Sequence, residues 1–181
     1  AGFDTVLIET VGVGQDEVDI VQAAHTVIVV SAPGLGDDVQ AIKAGVLEIA
    51  DIHVVSKADR PDAEKTTAEL KAMLSIGRAG KSEGSETWDV PVVPTSAQAG
   101  FGLDDLLTAM DDHWQHLDQS GEKAGRQDRI LRMRVLKSAE DLVRQALMGP
   151  NKADLEEAVA RIKSGAGDPH GAAQSILKKI K

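Results

Sequence analysis

The stretch IHVVSKAD, residues 52–59, decides the fold. It starts as a run of apolar, mostly β-branched residues and ends in a short polar loop. Three other runs are built the same way: DTVLIE (4–9), HTVIVVSA (25–32) and VPVVPTS (90–96). Their Val and Ile residues are nearly continuous. A strand with one wet face would alternate, so these read as strands buried on both faces, as in a parallel sheet. Helical patterns separate them. DEVDIVQAA (16–24) is short, while DDVQAIKAGVLEIA (37–50) sets Val39, Ile42, Val46 and Ile49 on one stripe. DAEKTTAELKAML (62–74) follows Pro61 and carries acids in its first turns, and GLDDLLTAMDDHWQHL (102–117) follows the last strand. This alternation predicts an α/β fold, a mostly parallel, doubly wound sheet flanked by helices.

The pattern changes near residue 118. SGEKAGRQD (120–128) reads as a polar link, and RILRMRVLKSAEDLVRQALM (129–148) as a long amphipathic helix with Leu131, Val135, Leu142 and Leu147 among its apolar positions. Gly149 and Pro150 stop it. Two shorter helices are expected to follow. The last has Asp168 placed as N-cap and Pro169 at the first helical position. The expected organisation is a sheet domain over 1–118 and an all-helical extension over 119–181.

Composition narrows the function. Aromatic residues make up 2% of the chain, so the core must be aliphatic. A net charge of −9 argues against non-specific binding of nucleic acid or of anionic membranes. There is no cysteine, which excludes disulfides and thiolate metal sites and points to a reducing, cytoplasmic compartment. No apolar run nears the roughly 20 residues that span a bilayer. The opening AGFD has neither the basic nor the apolar region of a signal peptide, and it lacks a starting Met.

Three polar loops follow predicted strands. In SKAD, Asp59 can accept from both N1–H and the N2 amine of a guanine, and Lys57 can lay its aliphatic stem along the ring. The informative first position, usually Asn in such loops, is Ser56. In IETVGVGQDE (8–17), Glu9 ends a strand and Gly12 follows three residues later. This resembles the acid-x-x-Gly element of GTPases, in which the acid holds Mg²⁺ through water and the glycine lets a backbone N–H approach the γ-phosphate. Gly14 and Gln15 come next. In PTSAQAG (94–100), Ser96 and Ala97 can present a backbone N–H to guanine O6. Each loop alone could be an ordinary strand end. Their shared order, and their common place at the carboxyl ends of parallel strands, favour a nucleotide site. SIGRAGKS (75–82) imitates a phosphate loop, but Ser75 stands where its first glycine belongs and a helix precedes it. His113 and His116 share a helix face beside Asp112. They could ligate a metal, but a solvated helix end fits better. His25 and His53 are expected at strand edges.

Residues 1–59 resemble the MeaB/ArgK-type P-loop GTPases, associated with methylmalonyl-CoA mutase and formerly labelled transport kinases. The residues that carry the likeness are ETVGVGQ, the segment PGLGDDVQAIKAGVLEIAD and the KAD loop. The likeness continues through TSAQAGFGLDDL and DPHGAA (168–173). It implies a GTP-binding, GTP-hydrolysing chaperone that loads adenosylcobalamin into methylmalonyl-CoA mutase, or a related acyl-CoA mutase, and protects that enzyme. It implies GTP/GDP and Mg²⁺ as ligands. Glu9, Gly12 and Gln15 would be catalytic, with Glu9 on the Mg²⁺ side. Lys57, Asp59, Ser96 and Ala97 would hold guanine. Asp37, Gln40 and Lys43 would form the switch that couples nucleotide state to the mutase. The helical tail would dimerise through 129–148.

The chain departs from the family pattern at three points. Ser56 replaces Asn, Asp16 replaces a usual Ser, and the phosphate loop that should precede the first strand is not in the sequence. Residues 1–118 are therefore expected to be a partial GTPase domain, and this chain alone is expected to hydrolyse GTP negligibly. Two other readings stand beside this one. The first is a catalytically inactive dimerisation or mutase-interaction module. The second is a nickel-insertion GTPase, which the absence of Cys disfavours.

Overall fold

The computed structural model describes residues 2–10, 22–34, 47–78 and 88–180. Among these residues three strands form one sheet: β1 (Ile28–Ser31), β2 (Ile52–Val55) and β3 (Val92–Pro94). All are parallel, in the order β1-β2-β3, with Ile28 opposite Ile52 and His53 opposite Val92. α1 (Leu47–Ile49) leads into β2, and α2 (Ala63–Arg78) joins β2 to β3. α3 (Leu103–Gln119) follows β3. Then come α4 (Glu122–Met148), α5 (Lys152–Lys163) and α6 (Pro169–Leu177).

The sheet is covered on both faces, which is why its strands do not alternate. Val55 and Val92 pack on Ala63 and Leu70 of α2. Ile52, Val54 and Val93 face the other way, onto Ala109 of α3. Every residue of the central strand β2 is buried. The parallel, helix-flanked α/β sheet is the one the apolar runs predict.

α3 begins where only glycine fits. Gly102 has φ +78°, and a Cβ there would stand 2.1 Å from the Pro94 carbonyl oxygen. The chain thus turns tightly over the end of β3 before the helix starts. Asp104 and Asp105 in the first turn offset the positive end of the helix. Ala109, His113 and Leu117 are buried, one per turn. In α6 the expected cap is present: Asp168 Oδ1 accepts from Gly171 N at 2.9 Å, with Pro169 at the helix start.

Four expectations change. The run DTVLIE (4–9) is irregular, not a strand, and Val6, Leu7 and Ile8 are exposed. Apolar composition favours extended backbone, but a strand exists only when a neighbour accepts its hydrogen bonds. No such neighbour flanks residues 4–9 among the described residues. Residues 122–128, read as polar link, are the first turns of α4. Of their side chains, Arg126 reaches a buried partner, Asp51. His53 lies within β2 and is fully buried. His113 is also fully buried, so neither is a solvated edge or helix end.

The chain forms two compact units, residues 1–130 and 131–181. Within the first, Arg126 on α4 forks onto Asp51, with Nη1 on Oδ2 at 2.8 Å and Nη2 on Oδ1 at 2.9 Å. Within the second, Lys179 Nζ donates to Asp154 Oδ1, and Ile176 is buried.

Candidate functional site

The carboxyl ends of β2 and β3 bring Lys57, Asp59, Ser96 and Ala97 together. β2 ends at Val55, and Thr95 N donates to its carbonyl at 2.8 Å. Ala58 N then donates to the Thr95 carbonyl at 2.9 Å, so the SKAD loop is laced to the chain leaving β3. Across this lacing, Ser96 Oγ donates to Asp59 Oδ1 at 2.5 Å.

Ser96 is itself fixed. Its backbone pairs with Phe101, N to O at 3.0 Å and O to N at 3.2 Å, closing the loop TSAQAGF. Its hydroxyl also accepts from Ala99 N at 3.1 Å. Ser96 is buried, while Asp59 and Ala97 are exposed. A buried, immobile hydroxyl thus aims an exposed carboxylate. The Ser96 hydroxyl, Asp59's own backbone N–H and the nearby Arg60 charge hold the Asp59 pKa below the usual carboxylate range, outweighing slight burial. At neutral pH Asp59 is an acceptor only, with lone pairs left after Ser96 has taken one. That is the chemistry a guanine N1–H and N2 amine require.

On the other side of the loop lies a cavity of about 340 Å³ between residues 32–34 and Lys57, Arg60, Pro61 and Asp62. Lys57 lines it, whereas Asp59 and Ser96 do not. Ser56 Oγ donates to the Ser31 carbonyl at 2.9 Å, tying the loop to β1. Arg60, Ser31 and Thr95 carry no motif signal. Two of them act through backbone carbonyls, which any residue type supplies.

Glu9 is exposed in the irregular segment 2–10. Gly12, Gln15 and Asp16, and the switch residues Asp37, Gln40 and Lys43, lie outside the described residues, as does the Gly80-Lys81-Ser82 end of the phosphate-loop imitation. Its Ser75 sits in α2. His113 and His116 do not form a metal site. His113 Nδ1 meets Thr26 Oγ1 at 2.9 Å, and both rings pack on Trp88. Among the described residues, no three His, Cys, Asp or Glu side chains cluster as a metal site would need.

The sequence profile described as "Methylmalonyl Co-A mutase-associated GTPase MeaB" matches residues 1–153. The chain belongs to the MeaB family. A Pyrococcus abyssi protein named as a GTPase is 40% identical to this MeaB-family chain over 184 residues, covering 99% of the chain and 55% of the relative. The mouse protein named methylmalonic aciduria type A homolog, mitochondrial, is 29% identical over 187 residues, covering 99% of the chain and 44% of the relative. The chain therefore spans about half the length of these relatives. A crystal structure of a LAO/AO transport system kinase shares the fold, with a TM-score of 0.61 at 23% identity, over 99% of this chain and 58% of that one. MeaB is by description a GTPase family, so guanine-nucleotide chemistry is its frame. No helix among the described residues is long and apolar enough to cross a membrane.

Proposed function

We propose that the protein is a GTP-hydrolysing chaperone of methylmalonyl-CoA mutase, or of a related acyl-CoA mutase, acting in the cytoplasm. It would couple the nucleotide state to delivery of adenosylcobalamin and to protection of the mutase. The observation that carries this reading is the Asp59–Ser96 pair: an exposed, ionised carboxylate held at 2.5 Å by a buried hydroxyl at the carboxyl ends of β2 and β3. It fits the guanine end of GTP or GDP. Lys57 supplies an aliphatic stem for the ring face, and Ala97 closes the pocket beside Ser96. In the same reading Glu9 would hold Mg²⁺ through water, and Gly12 and Gln15 would serve the γ-phosphate. Bound Mg²⁺ would neutralise charge on the phosphates as the γ-phosphoryl group leaves. Asp37, Gln40 and Lys43 pass nucleotide state to the mutase.

Residues 1–118 are assigned to the GTPase part, and 119–181 to a dimerising extension that pairs through 129–148. The exposed apolar side chains Leu131, Val135 and Leu142 on α4 support that assignment. The same stripe favours one second reading, an interaction module whose nucleotide site is idle.

The test is GDP binding by the full-length protein, with and without the mutase. Micromolar or tighter binding that prefers GDP to ADP, and that changes the affinity for the mutase, is the expected result. Mutase binding indifferent to any nucleotide would replace this reading with the interaction module.

A further inference from the structure

α3 and α4 are joined by Ser120 and Gly121 alone. Gly121 has φ +77°, a left-handed backbone that side chains resist. A Cβ there would meet nothing within 4 Å, so no packing fixes the angle. The helices on either side of this joint are held differently. α3 buries Ala109, His113 and Leu117, one per turn. In α4, Ile130 is the one buried residue. The root of α4, residues 122–130, is fastened by polar side chains instead. Arg126 gives two bonds to the Asp51 carboxylate, at 2.8 and 2.9 Å, and a third to the His25 carbonyl at 2.7 Å. Gln127 Oε1 lies 2.7 Å from His25 Nε2, and Lys123 Nζ sits over the Trp114 ring at 4.4 Å. A helix held by buried apolar surface comes free only by exposing that surface to water. Polar groups that part regain hydrogen bonds with water, so a root held by them opens locally at a smaller net cost.

Asp51 is where this root meets the sheet. It directly follows the run DDVQAIKAGVLEIA (37–50), which ends in α1, and it directly precedes β2. The two-pronged bond to Arg126 needs both carboxylate oxygens in place, so a small turn of Asp51 is enough to break it. We propose that Arg126 is a latch and Gly121 its hinge: the segment ending at Asp51 fastens or frees the root of α4, and the helix carries that state onward. α4 runs on to Met148, past the end of the first compact unit at residue 130. The inference rests on the coupling role proposed above for Asp37, Gln40 and Lys43, which belong to the same run. It adds the receiving end, at the amino ends of the strands and not at the base pocket.

The experiment follows amide hydrogen exchange of residues 122–130 in the full-length protein, bound to GDP or to a non-hydrolysable GTP analogue. The affinity for the mutase is measured in the same two states. R126K keeps the charge and gives up the fork. Q127A removes a second tie without touching a buried charge. In the parent protein, exchange at 122–130 should differ between the two states. R126K should raise exchange in the slower state roughly tenfold, the scale of one charge-assisted hydrogen bond, and so bring the two states together. Q127A should narrow the gap in the same direction. Nucleotide affinity should be unchanged in both variants. Exchange that rises by the same factor in both states would make Arg126 merely structural and overturn the inference. Should R126K fail to fold, Q127A decides, and a gap equal to the parent's overturns the latch. Parent exchange that ignores the nucleotide while the mutase affinity responds to it overturns the latch and leaves the mutase reading standing. The reverse result counts against the mutase reading alone. A protein that binds no nucleotide, or whose root and mutase affinity both ignore it, overturns both.

Discussion

Two aspartates flank β2, and they do opposite work. Asp51 stands just before the strand and Asp59 just after it. Asp51 is buried and saturated. It takes both prongs of Arg126 and the Val27 N–H at 2.8 Å, and His113 Nε2 stands 3.2 Å from its Oδ1. Its backbone carbonyl receives Trp88 Nε1 at 2.6 Å. Burial pushes its pKa up, but His113, Arg126 and the Val27 N–H more than reverse this and hold it at about 2. Asp59 is exposed, with one hydroxyl from another loop and room for more partners. A carboxylate whose acceptor sites are filled by its own protein is structure. One that is aimed but left wet is available to a ligand. The amino ends of the strands are therefore locked, and the carboxyl ends are open.

This contrast can be broken from either end. The largest effect belongs to Asp51→Ala, which strips the half-buried Arg126 guanidinium of both carboxylate bonds and leaves it the His25 carbonyl and the more exposed Glu122. A loss of about 3–5 kcal/mol is expected in urea unfolding. A loss under about 1 kcal/mol would show that the amino end is not locked by this pair. Gly102→Ala comes next. The left-handed backbone and the 2.1 Å approach to Pro94 should together cost about 2–3 kcal/mol and loosen the Ser96 loop. Hydrogen exchange at residues 96–101 would record the loosening.

Acid gives the third test. The folded Asp51 pKa lies below its unfolded value of 3.8, so its stabilisation is complete above about pH 4. It should fade as pH falls toward about 2, removing about 2 kcal/mol. Asp51→Asn should flatten that part of the stability profile. The smallest effect on stability is expected for Asp59→Asn, which should unfold with the parent protein. Its GDP affinity should nonetheless fall roughly tenfold to a hundredfold. A variant that lost stability and kept its affinity would reverse the roles of the two aspartates.

Much of the sheet was legible because burial on both faces writes itself as unbroken Val and Ile. β2 and β3 lie within their apolar runs, and Asp168-Pro169 announced the start of α6. What local pattern could not show was partnership at a distance. Arg126 and Asp51 are 75 positions apart, as are Thr26 and His113 by 87. Without those partners, 120–128 looks like a polar link and His113 like a wet helix end. DTVLIE failed for the converse reason, since a strand signal carries no information about its neighbour. At the site, Lys57, Asp59 and Ser96 were legible as side chains in ordered loops. The lacing of the SKAD loop was not, because Ser31 and Thr95 hold it through carbonyls.

The locked end also contains both tryptophans of the chain, which has no tyrosine. Trp88 packs edge-on against His113, with ring centres 4.9 Å apart. Trp114 meets His25 at 5.4 Å and lies beneath Lys123 Nζ at 4.4 Å. All tryptophan emission therefore arises at the amino ends of the strands, beside quenching imidazole and ammonium groups. A fluorescence change on adding nucleotide could not come from stacking on an indole at the base pocket. It would have to be news carried the length of the sheet.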